Sequence, residues 1–315
     1  MKQPRSVFIS AIIIVSLLTL CGCTDIRNRV FPDVLAVDCG TPAEFTAHLT
    51  QGGSLLSASA DSPLLMPDAL QNASGAEISE EHLSLLAFSG NPCGLVSSYF
   101  AKQWLAPDCP VLYVPHSACS ALKAGTLPTA AQISAAVSSG RLPCRTADAV
   151  LGDLLGGSGV TALYCRDGSG LSLVLADRDG ITGKLSEDAC RGLALLCGRS
   201  DHFSFAEAGV VCTVTRRKAH ILASEDGDRL RFTLSADIFF ETDVPDLAAS
   251  ALRRMLDAAL TETAADAGAD LLFLRESAVR SGIPSASDDS AEAWRQTLLS
   301  ADYETELRLH AAGNR

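Results

Sequence analysis

The chain has 315 residues, of which 47% are hydrophobic and 20% charged, and its formal net charge at pH 7 is −12. This acidic balance argues against nucleic acid as a partner and against electrostatic adsorption to anionic lipid, because both are bound by clusters of basic residues. The length is sufficient for two or three domains with hydrophobic cores of their own.

The N-terminal segment has the pattern of a secretory signal. Lys2 and Arg5 give it a positive start, and an uncharged, mostly apolar run of 14 residues follows over 7–20. Such a run is shorter than the roughly 20 residues that an ordinary membrane-spanning helix needs. The segment then ends in Gly22 and Cys23. A small residue followed by cysteine resembles the bacterial lipoprotein signal, in which the cysteine is lipidated and becomes the mature N-terminus.

Two alternatives to lipidation at Cys23 exist. Cys21 is a rival acceptor, but the bulky Leu20 would then lie at the cleaved bond, whereas Cys23 follows a glycine. The second alternative is an ordinary cleaved signal peptide, in which neither cysteine has a role. We predict that residues 1–22 are removed and that Cys23 carries palmitate-type acyl chains. Because Lys2 and Arg5 would be lost, the mature chain of 293 residues would have a net charge of −14.

The first elements after the anchor are predicted as a tether, a strand and a short helix. The tether, 23–33, is polar and basic over 24–32, and 34–38 form an apolar run that indicates a buried strand. Thr41 and Glu44 have the spacing of a capping box around Pro42, which predicts a helix that ends near Leu49. The following residues, 51–61, are rich in glycine, serine and alanine and favour a loop.

Further short elements follow up to a glycine-rich boundary at 156–159. The hydrophobic pattern predicts a helical turn, two strands and three helices in this part of the chain. The turn is at 67–72, the strands are at 82–89 and 111–114, and the helices are at 93–105, 130–138 and 147–155.

The remaining chain is predicted to be richer in strands. Strands at 161–166 and 171–176 form a hairpin, a second tight turn lies at 177–180, and Ser186 caps a helix that ends at Leu196. A meander and a final strand follow, at 210–215, 219–223, 229–236 and 303–311. The longest helix covers 244–267, with Pro245 at its start and Gly268 at its end.

These elements predict an α+β fold of several domains with mixed sheets and helices, in which a C-terminal antiparallel sheet packs on one long helix. The predicted divisions are a signal peptide (1–22), a tether (23–33), an N-terminal mixed domain (34–145), a middle region (146–205) and a C-terminal domain (206–315).

The cysteines do not have the spacing of a metal site. Nine follow Cys23, with no CxxC and no cysteine–histidine pair at zinc spacing, and an odd number leaves at least one unpaired. Most lie among apolar residues, so we interpret them as small buried side chains, with disulfides still possible. They are Cys39, Cys93, Cys109, Cys119, Cys144, Cys165, Cys190, Cys197 and Cys212.

No constellation for catalysis is present in the sequence. The six histidines are scattered, and Ser158 and Ser169 lie in glycine turns rather than in a GxSxG elbow. Asp177 and Asp179 precede Gly180 without the other ligands of a calcium loop, so a hairpin turn is the better interpretation. The sequence therefore predicts no catalytic residue, cofactor or metal ligand.

Several weak motifs occur in an order that matches a known family. Asp25 and Arg27 follow Cys23, and a strand ending in Asp38 comes next. Further motifs are the segments 68–70 and 82–86, the passage 180–196, the Gly-Ala-Asp of 267–272, Trp294, and the alternating strand before Gly313. Their order and spacing resemble those of the Ger(x)C family, the lipoprotein C subunits of spore nutrient-germinant receptors.

This resemblance implies a noncatalytic lipoprotein on the outer face of the spore inner membrane. It also implies association with integral-membrane receptor subunits of the A and B types and a contribution to nutrient-triggered germination, without assigning a small-molecule ligand. The alternative is a lipid-anchored cell-surface protein that binds solutes or assists envelope assembly. A lipoprotein hydrolase is a third possibility, which the absence of a nucleophile–base pair disfavours.

Overall fold

The computed structural model describes residues 29–79, 83–91, 93–168, 170–197, 203–227, 229–288 and 290–312. The signal peptide, the first part of the tether, Cys23, His82, Ser169 and Gly313 lie outside the described residues. No helix in the described ranges is both long enough and apolar enough to cross a membrane.

Strands and helices follow one another along the whole chain. The described strands are β1 (Arg29–Val30), β2 (Pro32–Asp38), β3 (Ala43–Leu49), β4 (Leu55–Ala60), β5 (Glu77–Ile78), β6 (Leu85–Ser89), β7 (Val111–Tyr113), β8 (Thr161–Asp167), β9 (Gly170–Asp177), β10 (Gly180–Lys184), β11 (Phe203–Glu207), β12 (Val210–Asp226), β13 (Arg229–Glu241) and β14 (Asp302–Ala312). The described helices are α1 (Met66–Ser74), α2 (Cys93–Ala101), α3 (Ala118–Lys123), α4 (Ala130–Ser138), α5 (Ala147–Gly156), α6 (Glu187–Cys197), α7 (Pro245–Leu260), α8 (Leu274–Arg280), α9 (Ser285–Asp288) and α10 (Ala291–Ser300).

The larger sheet has eight strands in the order β10-β9-β8-β7-β6-β2-β3-β4. Its four central strands, β8, β7, β6 and β2, are parallel, and antiparallel pairs extend it on both sides. All five residues of β6 are buried, which explains why the strand is a continuous apolar run rather than an alternating one. Strands β8–β10 of the predicted middle region continue the sheet of the N-terminal region, and the boundaries at 145 and 205 stay predictions.

The helix predicted to end near Leu49 is wrong, because Ala43–Leu49 is strand β3. It pairs antiparallel with β2 on one side and with β4 on the other. Ala43, Phe45 and Ala47 belong to one core with the period of two of a strand, and Thr46 is buried on the opposite face, so pairing on both sides, rather than the local capping pattern, determines the structure. The predicted loop over 51–61 is also wrong in part, since it contains the edge strand β4.

Both faces of the eight-stranded sheet are covered. Leu35 and Val37 of β2 belong to a core shared with α1, α2 and α5, whereas Ala36 between them belongs to a second core that includes residues of α3, α4 and α6. The helices predicted at 130–138 and 147–155 and the hairpin over 161–176 are confirmed. The sheet is therefore the central layer of this half of the molecule.

The smaller sheet has four strands in the order β11-β12-β13-β14. Strands β11, β12 and β13 are antiparallel, and β14 joins parallel to β13 after the chain has passed through α7–α10. Every second residue of β13 is buried, and these side chains share one core with α6, α7 and the larger sheet. The predicted α+β fold, with the C-terminal sheet packed on a long helix, is confirmed.

Helices α6 and α7 form the layer between the two sheets. Gly192 of α6 lies so close to α7 that a β-carbon at this position would be 2.0 Å from the carbonyl oxygen of Met255. Helix α7 continues into a π-helical turn over Thr261–Ala265, so the predicted helix at 244–267 changes its hydrogen-bonding pattern in its last part.

Candidate functional site

Asp38, the residue that ends the first strand of the family-like motif, lies at the carboxyl end of β2. Its carboxylate accepts hydrogen bonds from the hydroxyls of Ser89 (2.7 Å) and Ser117 (2.6 Å) and from the backbone amides of Ala118 (2.7 Å) and Cys119 (3.4 Å). Burial alone would raise the pKa of Asp38, but these hydrogen bonds outweigh it and hold the pKa below the ordinary 3.8. Asp38 therefore fastens two strand ends to the start of α3.

Asp270 does the same at the start of α8. Its carboxylate accepts hydrogen bonds from the backbone amides of Leu274 (2.6 Å) and Arg275 (3.0 Å) and from the indole N–H of Trp294 (2.9 Å). Its own amide donates to the buried hydroxyl of Ser158 at 3.0 Å. Two positions of the sequence resemblance, Asp270 and Trp294, are thus brought into direct contact, and Ser158 has a structural bond rather than a nucleophile's environment.

Arg275 extends this cluster. Its Nε donates to the carbonyl of Ala286 at 2.8 Å, and its guanidinium lies 5.8 Å from the centre of the Trp294 ring. A second guanidinium nitrogen lies 3.4 Å from the carbonyl oxygen of Gly156 at the end of α5. The cluster therefore connects α5, on the larger sheet, with α8–α10 of the C-terminal region.

A buried charge pair, which the sequence did not predict, lies beside this cluster. Arg145 pairs with Asp153, and both also hydrogen-bond to the hydroxyl of Thr161. The backbone amide of Arg145 donates to the hydroxyl of Tyr164 at 2.8 Å. Burial raises the pKa of Asp153, and Arg145 opposes this shift only in part. One sign of this pair was available in the sequence, which is the charged Asp153 within the otherwise mostly apolar helix 147–155.

The two charge clusters line one open groove of about 800 Å³, which we call the central groove. Phe273 lies on its rim with 63% of its surface exposed, and its backbone has the left-handed φ of 58°. A bulky residue rarely adopts this conformation, so its outward position is held at an energetic cost. The central groove is defined by Arg145, Asp153, Asp270, Phe273, Arg275 and Val279.

The two buried acids of the central groove are hydrogen-bonded within the protein. Asp153 and Asp270 each accept several hydrogen bonds, so their lone pairs are directed at the protein itself. Within the described ranges no group of three or more histidine, cysteine, aspartate or glutamate side chains could hold a metal ion.

Burial raises the thiol pKa of most of the described cysteines. Eight are described, none of them in a disulfide, and five of these are buried. Burial raises the pKa of the thiols to about 11 in Cys39, Cys119, Cys197 and Cys212 and to about 12 in Cys109 and Cys190. The thiolate, which is the reactive form, is therefore disfavoured. This agrees with their interpretation as small buried side chains.

The other polar residues considered from sequence do not converge. In the larger sheet, His48 contacts Asp33 at 2.7 Å. In the smaller sheet, His310 lies 3.6 Å from Asp237. The amide of Asp179 donates to the Asp177 carboxylate at 2.9 Å within the turn between β9 and β10, as expected for a hairpin turn.

Comparison with solved structures relates this architecture to a known one. The crystal structure of the GerBC protein superimposes with a TM-score of 0.55, covering 89% of this chain and 97% of that chain at 13% sequence identity. The chain has the fold of GerBC. Because GerBC is a Ger(x)C protein, the resemblance found in the sequence motifs is confirmed at the level of the fold.

The extent of the superposition carries more weight than the sequence identity. The larger sheet lies within residues 32–184, so a match over 89% of the chain includes parts of both sheets. No protein-family model and no curated protein matches the sequence. The relationship therefore rests on the arrangement of both sheets and their helices.

Proposed function

We propose that this protein is a noncatalytic, membrane-anchored lipoprotein subunit of a spore nutrient-germinant receptor. The observation that carries the proposal is the fold shared with GerBC over nearly the whole of both chains. The proposal adds that the chain is anchored through lipid on Cys23, lies on the extracytoplasmic side of the spore inner membrane, and associates with integral-membrane subunits of the A and B types.

The chemistry of the central groove supports association rather than catalysis. Its charged groups are paired or hydrogen-bonded within the protein, and its rim carries the exposed Phe273. Partly exposed aromatic residues beside satisfied polar groups are typical of protein interfaces. We therefore propose that an integral-membrane subunit contacts this rim.

Co-purification tests the partnership. A tagged full-length chain, extracted from spore membranes with mild detergent, should bring down the A- and B-type subunits. Phe273→Ala should lower their yield several-fold, because an anchoring aromatic side chain is removed. Val211→Ala is the matched control, since Val211 is an apolar residue with a similar exposed fraction, 62%, on β12. Equal losses from both variants would count against the rim as the contact surface.

Membrane fractionation tests the anchor. Cys23→Ala should move the chain from the membrane fraction to the soluble fraction, whereas Cys21→Ala should leave it attached. Two acyl chains are needed for stable attachment, so loss of the acceptor leaves no comparable anchor. The opposite pattern would make Cys21 the acceptor.

Gene deletion tests the biological role. A strain without this chain should sporulate normally and germinate poorly with a given nutrient, and normal germination in the absence of a redundant receptor would contradict the proposal. A thermal-shift screen with amino acids and sugars separates it from the solute-binding alternative, which predicts stabilisation by a small molecule.

A further inference from the structure

The last strand of the smaller sheet has one unpaired edge. β14 hydrogen-bonds to β13 on one side, and its other side makes no backbone hydrogen bond with any described residue. With 11 residues, β14 is the longest edge strand of the larger and smaller sheets. The other edge strands, β4, β10 and β11, have 6, 5 and 5 residues. Such an edge can accept another strand by main-chain pairing.

The apolar layer beneath the sheet is incomplete at this edge. Ala236 and Ile238 of β13 are fully buried, whereas their register partners on β14, Leu307 and Leu309, are only half-buried. Next to Leu309 an open groove of about 590 Å³ runs along α7 and the π-helical turn that follows it. A further strand beside β14 would therefore find both free backbone groups and space for its inward side chains.

The solvent-facing residues of β14 change sign halfway along the strand. Asp302, Glu304 and Glu306 occupy its first half, and Arg308 and His310 occupy its second half. In an antiparallel pair the first half of one strand lies beside the second half of the other. The strand is thus complementary in charge to a second copy of itself, which is the requirement for a two-fold symmetric interface.

The pairing register can be derived from this pattern. Opposite residues of an antiparallel pair either both direct their backbone groups at each other or both direct them away, so the two-fold axis must pass through a residue of the strand. An axis through Glu306 or Arg308 would place that charge opposite its own copy. An axis through Leu307 places Glu306 opposite Arg308 and Glu304 opposite His310, twice each. This register also aligns all 11 residues of β14.

We propose that two copies of this chain associate through antiparallel pairing of their β14 edges, about a two-fold axis through Leu307. The two smaller sheets then form one continuous sheet of eight strands. Leu307 contacts its own copy on the inner face, and Thr305 lies opposite Leu309, which covers side chains that are half-buried in a single copy.

Charge reversal tests both the interface and its register. We would measure dimer dissociation by sedimentation velocity on the full-length chain in mild detergent. Glu306→Arg creates an arginine–arginine pair with Arg308 of the other copy, at both symmetric positions. Arg308→Glu likewise creates two pairs of acids with Glu306. Each substitution should raise the dissociation constant about tenfold or more, since favourable cross-strand pairs become repulsive at two symmetric positions. Lys123→Glu, a reversal at the exposed end of α3 and outside the smaller sheet, should leave the dissociation constant unchanged.

Mixing the two variants gives the decisive result. A Glu306→Arg copy paired with an Arg308→Glu copy has opposite charges at both positions, so the mixture should form a heterodimer with the affinity of the unmodified dimer. The double variant E306R/R308E should also dimerise. Recovery on mixing shows that both variants are folded. A monomeric unmodified chain, single variants that dimerise normally, or a mixture that does not recover would each overturn the proposal.

Discussion

Asp38 and Asp270 are two aspartates with the same structural task in different surroundings. Each accepts backbone amides at the start of a helix, α3 in one case and α8 in the other. Asp38 adds two serine hydroxyls, and Asp270 adds the indole N–H of Trp294. Both carboxylates are therefore well hydrogen-bonded.

Their pKa shifts nevertheless have opposite directions. Asp38 is half-buried, and its hydrogen bonds hold its pKa below 3.8, whereas Asp270 is only 6% exposed and burial raises its pKa in spite of three hydrogen bonds. The comparison separates a half-buried carboxylate, where four hydrogen bonds outweigh desolvation, from an almost enclosed one, where three hydrogen bonds do not. It also predicts which cluster suffers more when its carboxylate is removed.

Asp270→Ala should have the largest effect. It leaves the Trp294 indole and two amides without an acceptor where water has little access, and we expect the free energy of unfolding to fall by about 3 kcal/mol. Urea unfolding measures this change. Glu276→Ala, which removes an exposed acid of α8 that pairs with Arg280, is the control and should cost less than about 0.5 kcal/mol. Equal losses would mean that Asp270 does not organise the cluster.

Asp38→Ala should cost less, about 1–2 kcal/mol in the free energy of unfolding. Water can reach the half-buried site and replace part of the lost hydrogen bonding. Glu44→Ala is a suitable control, because Glu44 is the exposed register partner of Asp38 on β3. A loss from Asp38→Ala that exceeds that from Asp270→Ala would reverse the comparison between the two sites.

The hydrogen bond between Asp270 and Trp294 can be isolated by a double-mutant cycle. Trp294→Phe removes the indole N–H but also leaves a cavity, so its cost alone is ambiguous. In the Asp270→Ala background the cavity cost is still present and the hydrogen bond is absent. We expect the second substitution to cost about 1 kcal/mol less in that background than in the unmodified chain. Strict additivity would show that the bond contributes nothing to stability.

The sequence predicted those parts of the fold that are encoded by local periodicity. The alternation in β13 and β14, the turn between β8 and β9, and the long apolar stripe of α7 are visible without any knowledge of their neighbours. β3 was missed because its capping-box pattern is local, whereas its strand conformation comes from pairing with β2 and β4.

The candidate site was less predictable for the same reason. Asp38, Asp270 and Trp294 could be named from the family-like motifs, but the bond between Asp270 and Trp294 joins residues 24 positions apart, with helices α8 and α9 between them. Arg145 and Asp153 carry no motif, and only the fold places them beside Asp270 in one groove. Burial and pairing in three dimensions, which a sequence does not state, define this site.

The smallest expected effect concerns pH, and it tests the comparison most directly. Because the folded pKa of Asp38 lies below 3.8, its contribution to stability is present above that pH and is lost as pH falls through the folded value. The folded pKa of Asp270 lies above 3.8, so the charged form costs stability at neutral pH, and stability is regained as pH falls through the folded value towards 3.8.

Asn variants remove each titration while keeping the side-chain shape. For each variant we compare its free energy of unfolding with that of the unmodified chain. The stability advantage of the unmodified chain over Asp38→Asn should decrease as pH is lowered from neutral to about pH 3. The same difference for Asp270→Asn should increase, with a slope no steeper than about 1.4 kcal/mol per pH unit in either case. Urea unfolding at a series of pH values gives both slopes. Two slopes of the same sign would mean that burial does not separate the electrostatics of these two carboxylates.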